Sequence, residues 1–99
     1  MSEQGLAQNH RVSVKLMAGE EAFAIAEAAC VDNPDAVLED NGSYLTVSNE
    51  IRLDLNIETI VEELGRPYDV PTLLVVLASY TGQVEVSDSC VSITEALSN

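Results

Sequence analysis

Few residues in this 99-residue chain could carry out chemistry. The one histidine, His10, lies in a polar stretch, residues 1–10, that is expected to be a mobile tail. A nucleophilic triad needs its base on a rigid scaffold, so His10 is expected to be solvated rather than catalytic. Cys30 and Cys90 are far apart and lack the paired spacing of a zinc site or a disulfide framework. Their apolar neighbours point to buried free thiols. The 17 carboxylates could supply acid–base pairs or hard-cation ligands. At this density chance pairing is expected, so pairing alone indicates nothing. The densest group is Asp32, Asp35, Glu39 and Asp40. It lacks the alternating ligands and central glycine of a calcium loop, Pro34 interrupts it, and it reads as a solvated acidic loop. There is no phosphate-binding glycine loop and no Gly-x-Ser-x-Gly elbow. Asn41-Gly42-Ser43 matches a glycosylation acceptor but is explained by a hairpin turn. No catalytic residue, cofactor-binding residue or metal ligand is assigned.

The elements that would position any site follow from hydrophobic period. Val12, Val14 and Leu16 alternate with Arg11, Ser13 and Lys15, which is the pattern of a half-buried strand ending at Gly19. From Glu20 to Val31 the period becomes helical, with Ala22, Ile25, Ala26 and Ala29 on one face. Asp32-Asn33-Pro34 ends that helix. Short strands are expected at Ala36–Leu38, around Leu45 and Val47, and over Ile51–Leu55. Turns at Asn41-Gly42 and Asn49-Glu50 would join them into an antiparallel meander. Asn56 is placed to cap a helix over 57–64, which Gly65 and Pro67 terminate. Leu73–Leu77 is a solid apolar run in which period cannot separate helix from strand. Asp69 as a cap and Pro71 in the first turn favour a helix ending near Tyr80. Strands at Val84–Val86 and Val91–Ile93 flank a Ser87-Asp88-Ser89 turn. The order β-α-β-β-β-α-α-β-β describes an α+β domain over 11–99, with helices packed on mostly antiparallel sheet.

Composition narrows the functional classes. Four basic residues against 17 acidic ones give a net charge of −13. Phosphate backbones and anionic membranes repel such a surface, whereas a partner protein with a basic patch would attract it. Without a signal core or a membrane-length apolar run, the expected compartment is the cytoplasm and the expected state a monomer. A folded acidic domain of this kind is expected to act through its surface, not as an enzyme.

The segment from Ile57 to Gln83 is more specific. Glu63-Leu64-Gly65-Arg66-Pro67-Tyr68-Asp69-Val70 and Leu77-Ala78-Ser79-Tyr80-Thr81-Gly82 resemble the effector, or coupling, proteins of bacterial multicomponent di-iron monooxygenases. These are the small regulatory partners of methane, phenol, toluene and alkene hydroxylases. Val31-Asp32-Asn33-Pro34 and the strands from Tyr44 to Leu55 extend the resemblance over roughly residues 11 to 95. About ten residues precede the first strand, fewer than in the methane-type proteins, and by this resemblance the chain is expected to lie nearer the toluene and alkene branch.

The resemblance implies an α/β fold with no cofactor. It implies docking on the large subunit of a di-iron hydroxylase, alongside ferredoxin and reductase components. Docking would couple oxygen activation and electron use to oxidation of an alkene or aromatic hydrocarbon. It also implies that Val76, Ala78, Ser79, Tyr80 and Thr81 face the hydroxylase, Tyr80 being bulkier than the threonine or serine of some relatives. For Arg66 two roles are open: a bridge to the partner, or a cap on the preceding helix. The rival readings are an acidic carrier, with Asp88-Ser89 as its attachment point, and an acidic inhibitor docking on a basic enzyme surface.

Overall fold

Strand β1 (Arg11–Met17) organises the molecule, because Val12, Val14 and Leu16 are completely buried while their neighbours face outward. A computed structural model describes residues 11–95. The expected tail, with His10, lies outside the described residues. After β1 come α1 (Glu20–Asp32), β2 (Val37–Asp40), β3 (Tyr44–Glu50), β4 (Arg52–Asn56) and α2 (Ile57–Leu64). Then follow α3 (Val70–Val76), β5 (Leu77–Thr81), β6 (Gln83–Val86) and β7 (Cys90–Thr94). The strands form two antiparallel sheets, ordered β2-β3-β1-β5 and β4-β7-β6. Helix α1 packs on β3, β4 and α2, and the inner faces of both sheets close on one core that includes Leu16, Ile25, Leu45, Leu53, Ile60 and Ile93. Burial of each such side chain contributes about 1.5–3 kcal/mol. Among the described residues no helix is long and apolar enough to cross a membrane.

The α+β class holds, and the structure corrects the expected plan in four places. The third helix stops at Val76, and Leu77–Thr81 is a strand paired with β1. The free edge of β1 needs hydrogen-bond partners, and the backbone of this segment supplies them. The meander is broken: β2 and β3 pair, but β4 pairs with β7 in the other sheet. Asn49 and Glu50 remain in β3, and the turn falls on Ile51, which is exposed instead of joining Leu53 and Leu55 in the core. The short second strand is shifted to Val37–Asp40. Local details also move. Helix α1 includes Asp32; Asn56 stands at the N-cap of α2, but its side chain donates to Asp32 Oδ2 at 3.0 Å instead of capping. Cys30 and Cys90 are free but only partly buried, and burial, then the charge of Glu27, pushes the Cys30 thiol pKa upward.

Two residues hold the sheets in place. Asn33 is buried just after α1. Its Nδ2 donates to Ala29 O and to Asp54 O, both at 2.8 Å, and its Oδ1 accepts from Asp54 N at 3.1 Å. A side-chain amide has the hydrogen-bonding groups of a peptide, so Asn33 closes the open edge of β4 as a one-residue strand would. Gly82, at φ +130°, carries the chain from the first sheet to the second. A Cβ there would lie 2.6 Å from Thr94 O and 2.8 Å from Ile93 Cγ2.

Asn33→Ala should lower the unfolding free energy by about 1–3 kcal/mol, since it strips the part-buried Asp54 N–H and C=O of their partner. Gly82→Ala should cost at least about 2 kcal/mol through overpacking against backbone. Urea unfolding followed by circular dichroism measures both.

Candidate functional site: an edge strand and an open sheet face

The residues singled out by the sequence divide into two groups. Ala78, Ser79, Tyr80 and Thr81 are all exposed on β5, the edge strand beside β1. The register pairs Ser13 with Thr81, Val14 with Tyr80, Lys15 with Ser79 and Leu16 with Leu77. One β1 step between Leu16 and Lys15 therefore spans two steps of β5, so Ala78 forms a bulge. Alternation then separates the side chains. Ser79 and Thr81 share the outer face with Lys15 and Ser13, and Tyr80 lies on the opposite side, at the rim. Val76, the last residue of α3, is partly buried against the core. Two residues earlier in that helix, Leu74 and Val75 are exposed.

Arg66 does not cap α2 but pairs with α1. Its Nη2 lies 3.6 Å from Glu21 Oε2, in the first turn of α1. The cap of α2 is made instead by Gly65, at φ 77°, whose N–H donates to Val61 O at 2.8 Å. Tyr68 donates its hydroxyl to Glu21 Oε1 at 3.2 Å. The loop between α2 and α3 is thus tied to α1 by an ion pair and a hydrogen bond on one carboxylate. Arg66 and Val76 border a common shallow cavity of about 380 Å3 together with Gly19 and Glu21. At the start of α3, Asp69 caps as expected: its Oδ1 accepts from Thr72 N at 3.0 Å, and bonding by Thr72 lowers its pKa.

Sequence reasoning did not single out the rest of the outer face of the β2-β3-β1-β5 sheet. Its cross-strand rows read Arg11–Glu50, then Thr81–Ser13–Ser48–Val37, then Ser79–Lys15–Thr46–Glu39, then Met17–Tyr44. The alternation in β1 that marked a half-buried strand was also the signal for this exposed half. Elsewhere the acidic group is spread out: the Asp32 oxygens accept from Asn56 and Thr59, and Asp40 Oδ1 accepts from Gly42 N. Among the described residues no three His, Cys, Asp or Glu side chains gather as a metal site. Asp88 and Ser89 lie in the turn between β6 and β7 and precede no helix in sequence; Ser89 O accepts from Ile57 N, the first residue of α2, at 2.9 Å.

The class so defined is a small two-sheet α+β domain that presents an open sheet face bordered by the exposed edge strand β5. Within it, the chain belongs to the MmoB/DmpM family, whose model matches residues 10–94. It is 32% identical over 77 residues to the stimulatory component DmpM of phenol 2-monooxygenase from Pseudomonas sp. (strain CF600), a match covering 78% of this chain and 86% of that protein. It is also similar to a chain in the structure of a phenol hydroxylase–regulatory protein complex. There the TM-score is 0.78 at 31% identity, over 85% of this chain and 97% of that one. A second such complex gives a TM-score of 0.72 at 30% identity, over 81% and 95%. The soluble methane monooxygenase regulatory protein B shares the fold, with a TM-score of 0.69 at 23% identity over 89% and 67%.

Burial, and after it the charge of Glu21, pushes the Tyr68 pKa from 10.0 up to about 12. The stability this contact contributes is complete below the unfolded pKa and is lost as pH rises through the folded one. Ultraviolet titration should find one tyrosine ionising near pH 12, and Glu21→Gln should move it back toward the ordinary value. Tyr68→Phe should remove that late transition.

Proposed function

We propose that this chain is the non-catalytic regulatory component of a multicomponent di-iron monooxygenase. It docks on the large subunit of the hydroxylase and couples oxygen activation and electron delivery to hydrocarbon oxidation. The observation carrying this reading is the chain-length match to the phenol hydroxylase relatives, at 31–32% identity. The ferredoxin and reductase components would be functional partners. The protein would act as a free monomer in the cytoplasm, where Cys30 and Cys90 stay reduced. The substrate is set by the partner's pocket; the phenol-type relatives favour an aromatic one.

The mechanism asks for a binding energy difference and no reactive group. A regulator shifts its partner only by binding one conformation better than another. Couplings of about 1–3 kcal/mol change such an equilibrium roughly 5- to 150-fold. Strand β5 suits this role: its exposed Ala78, Ser79, Tyr80 and Thr81 are short or rigid and sit on a scaffold anchored by β1. Val76 supports the strand from the core side. Arg66 holds the α2–α3 loop against Glu21 and, with 43% of its side chain exposed, can also meet the hydroxylase.

Reconstitution of hydroxylase, ferredoxin and reductase tests the proposal. Adding this chain should raise product formation and lower NADH consumed per product. Ser79→Asp with Thr81→Asp should weaken the stimulation at least about 10-fold in half-saturating concentration, since it buries new charge. A flat response over a full titration of the wild-type chain would rule the reading out.

A further inference from the structure

Charge is distributed unevenly over the molecule. Helix α1 carries four carboxylates and α2 three, and neither these helices nor α3 has a Lys or Arg. The outer face of the β2-β3-β1-β5 sheet holds two of the four cations, Arg11 and Lys15, against two acids, Glu39 and Glu50. The charges carried by its strands balance, and Asp35, from the loop before β2, borders the cavity that Arg11, Glu50 and Ile51 line at one end. Arg11 approaches Glu50 at 4.0 Å and donates to Ser48 Oγ at 2.9 Å. Five hydroxyl residues, Ser13, Thr46, Ser48, Ser79 and Thr81, fill the rows between.

Each end of the face carries exposed apolar side chains. Met17 and Tyr44 pair at one end, 50% and 43% exposed. At the other, Ile51 follows Glu50 with 54% of its surface exposed. Ile51 has φ 68°, the only positive value among the described non-glycine residues. For a β-branched residue that conformation costs about 1–2 kcal/mol. The cost brings no burial in return, because the hydrogen bonds that hold the turn, Glu95 N to Ile51 O and Asn49 Nδ2 to Arg52 O, do not need this side chain. Glycine or asparagine would fold more easily there. A side chain kept at a loss in the free protein indicates use in a complex.

The geometry points to the whole outer face of this sheet, from Ile51 to Met17 and Tyr44, as the surface that docks on the hydroxylase, with the acidic helices left in solvent. The inference rests on the regulatory reading above and extends it beyond β5. The face spans about 20 Å along the strands and about 14 Å across them. Desolvating unpaired carboxylates costs several kcal/mol each, so a chain of net charge −13 docks most cheaply through its balanced face. The matching partner surface is close to neutral, rich in hydrogen-bonding groups, and apolar where it meets Ile51. The helical charge acts at long range, on encounter rate.

The test measures association of the full chain with the hydroxylase of the same organism at several salt concentrations. Ile51→Gly should melt at a higher temperature yet bind at least about 5-fold more weakly, and Lys15→Glu should bind at least about 10-fold more weakly. Glu27→Gln with Glu62→Gln, on the helices, should keep Kd within about twofold while flattening the salt dependence of the on-rate. That pattern supports the assignment. Any other pattern, with wild-type binding intact, overturns it and leaves the regulatory reading standing. Absence of wild-type binding overturns both.

Discussion

The fold depends on satisfying both edges of β1. Its inward side chains are wholly buried, so its peptide groups have no water to bond and must be paired on each side. Strand β3 supplies one partner along seven residues, from Arg11–Glu50 to Met17–Tyr44. The other partner arrives from far along the chain, where Ser13 meets Thr81 and Leu16 meets Leu77. This late pairing ends α3 early, turns its continuation into an edge strand, and brings the exposed segment beside the outer face of β1. Core, sheet order and candidate site thus share one cause.

Both junctions where the chain leaves this sheet for the other are backbone devices. At Ile51 a left-handed residue ends β3 and starts β4; at Gly82 the missing side chain lets β5 pass Thr94, Ile93 and Val12 into β6. Asn33 completes the second sheet by closing the outer edge of β4. A polar side chain thereby does the work of a further strand and leaves one fewer edge for unwanted pairing. The same logic explains why charge and contact can separate. The helices cover the inner side and carry acids, and the outer side of the β2-β3-β1-β5 sheet keeps short hydroxyl residues and balanced charge.

Part of the candidate site was legible before its geometry. The stretch from Ala78 to Thr81 was marked, and its exposure on one strand agrees with a surface role. Its secondary structure was misread because the apolar run before it, Leu73–Leu77, carries no period that marks where a helix stops, and the Asp69 cap with Pro71 vouches only for a helix start. Arg66 was marked for its rarity in an acidic chain, but its partner Glu21 lies on another element, which no local rule reveals.

The sequence alone determined whatever depends on neighbours along the chain. This includes the alternation that buries Val12, Val14 and Leu16, the Gly65 and Asp69 helix boundaries, the Asn41-Gly42 turn, the net charge and the family resemblance. Tertiary structure alone decided which strands pair, that β3 and β4 separate at Ile51, that Asn33 serves β4, and which side of Ser79, Tyr80 and Thr81 faces out. The physical reason is that helix caps and hydrophobic period are short-range terms, set within a few residues. A β-edge is satisfied by whichever distant segment reaches it with the right register, and that choice is made by the whole chain at once.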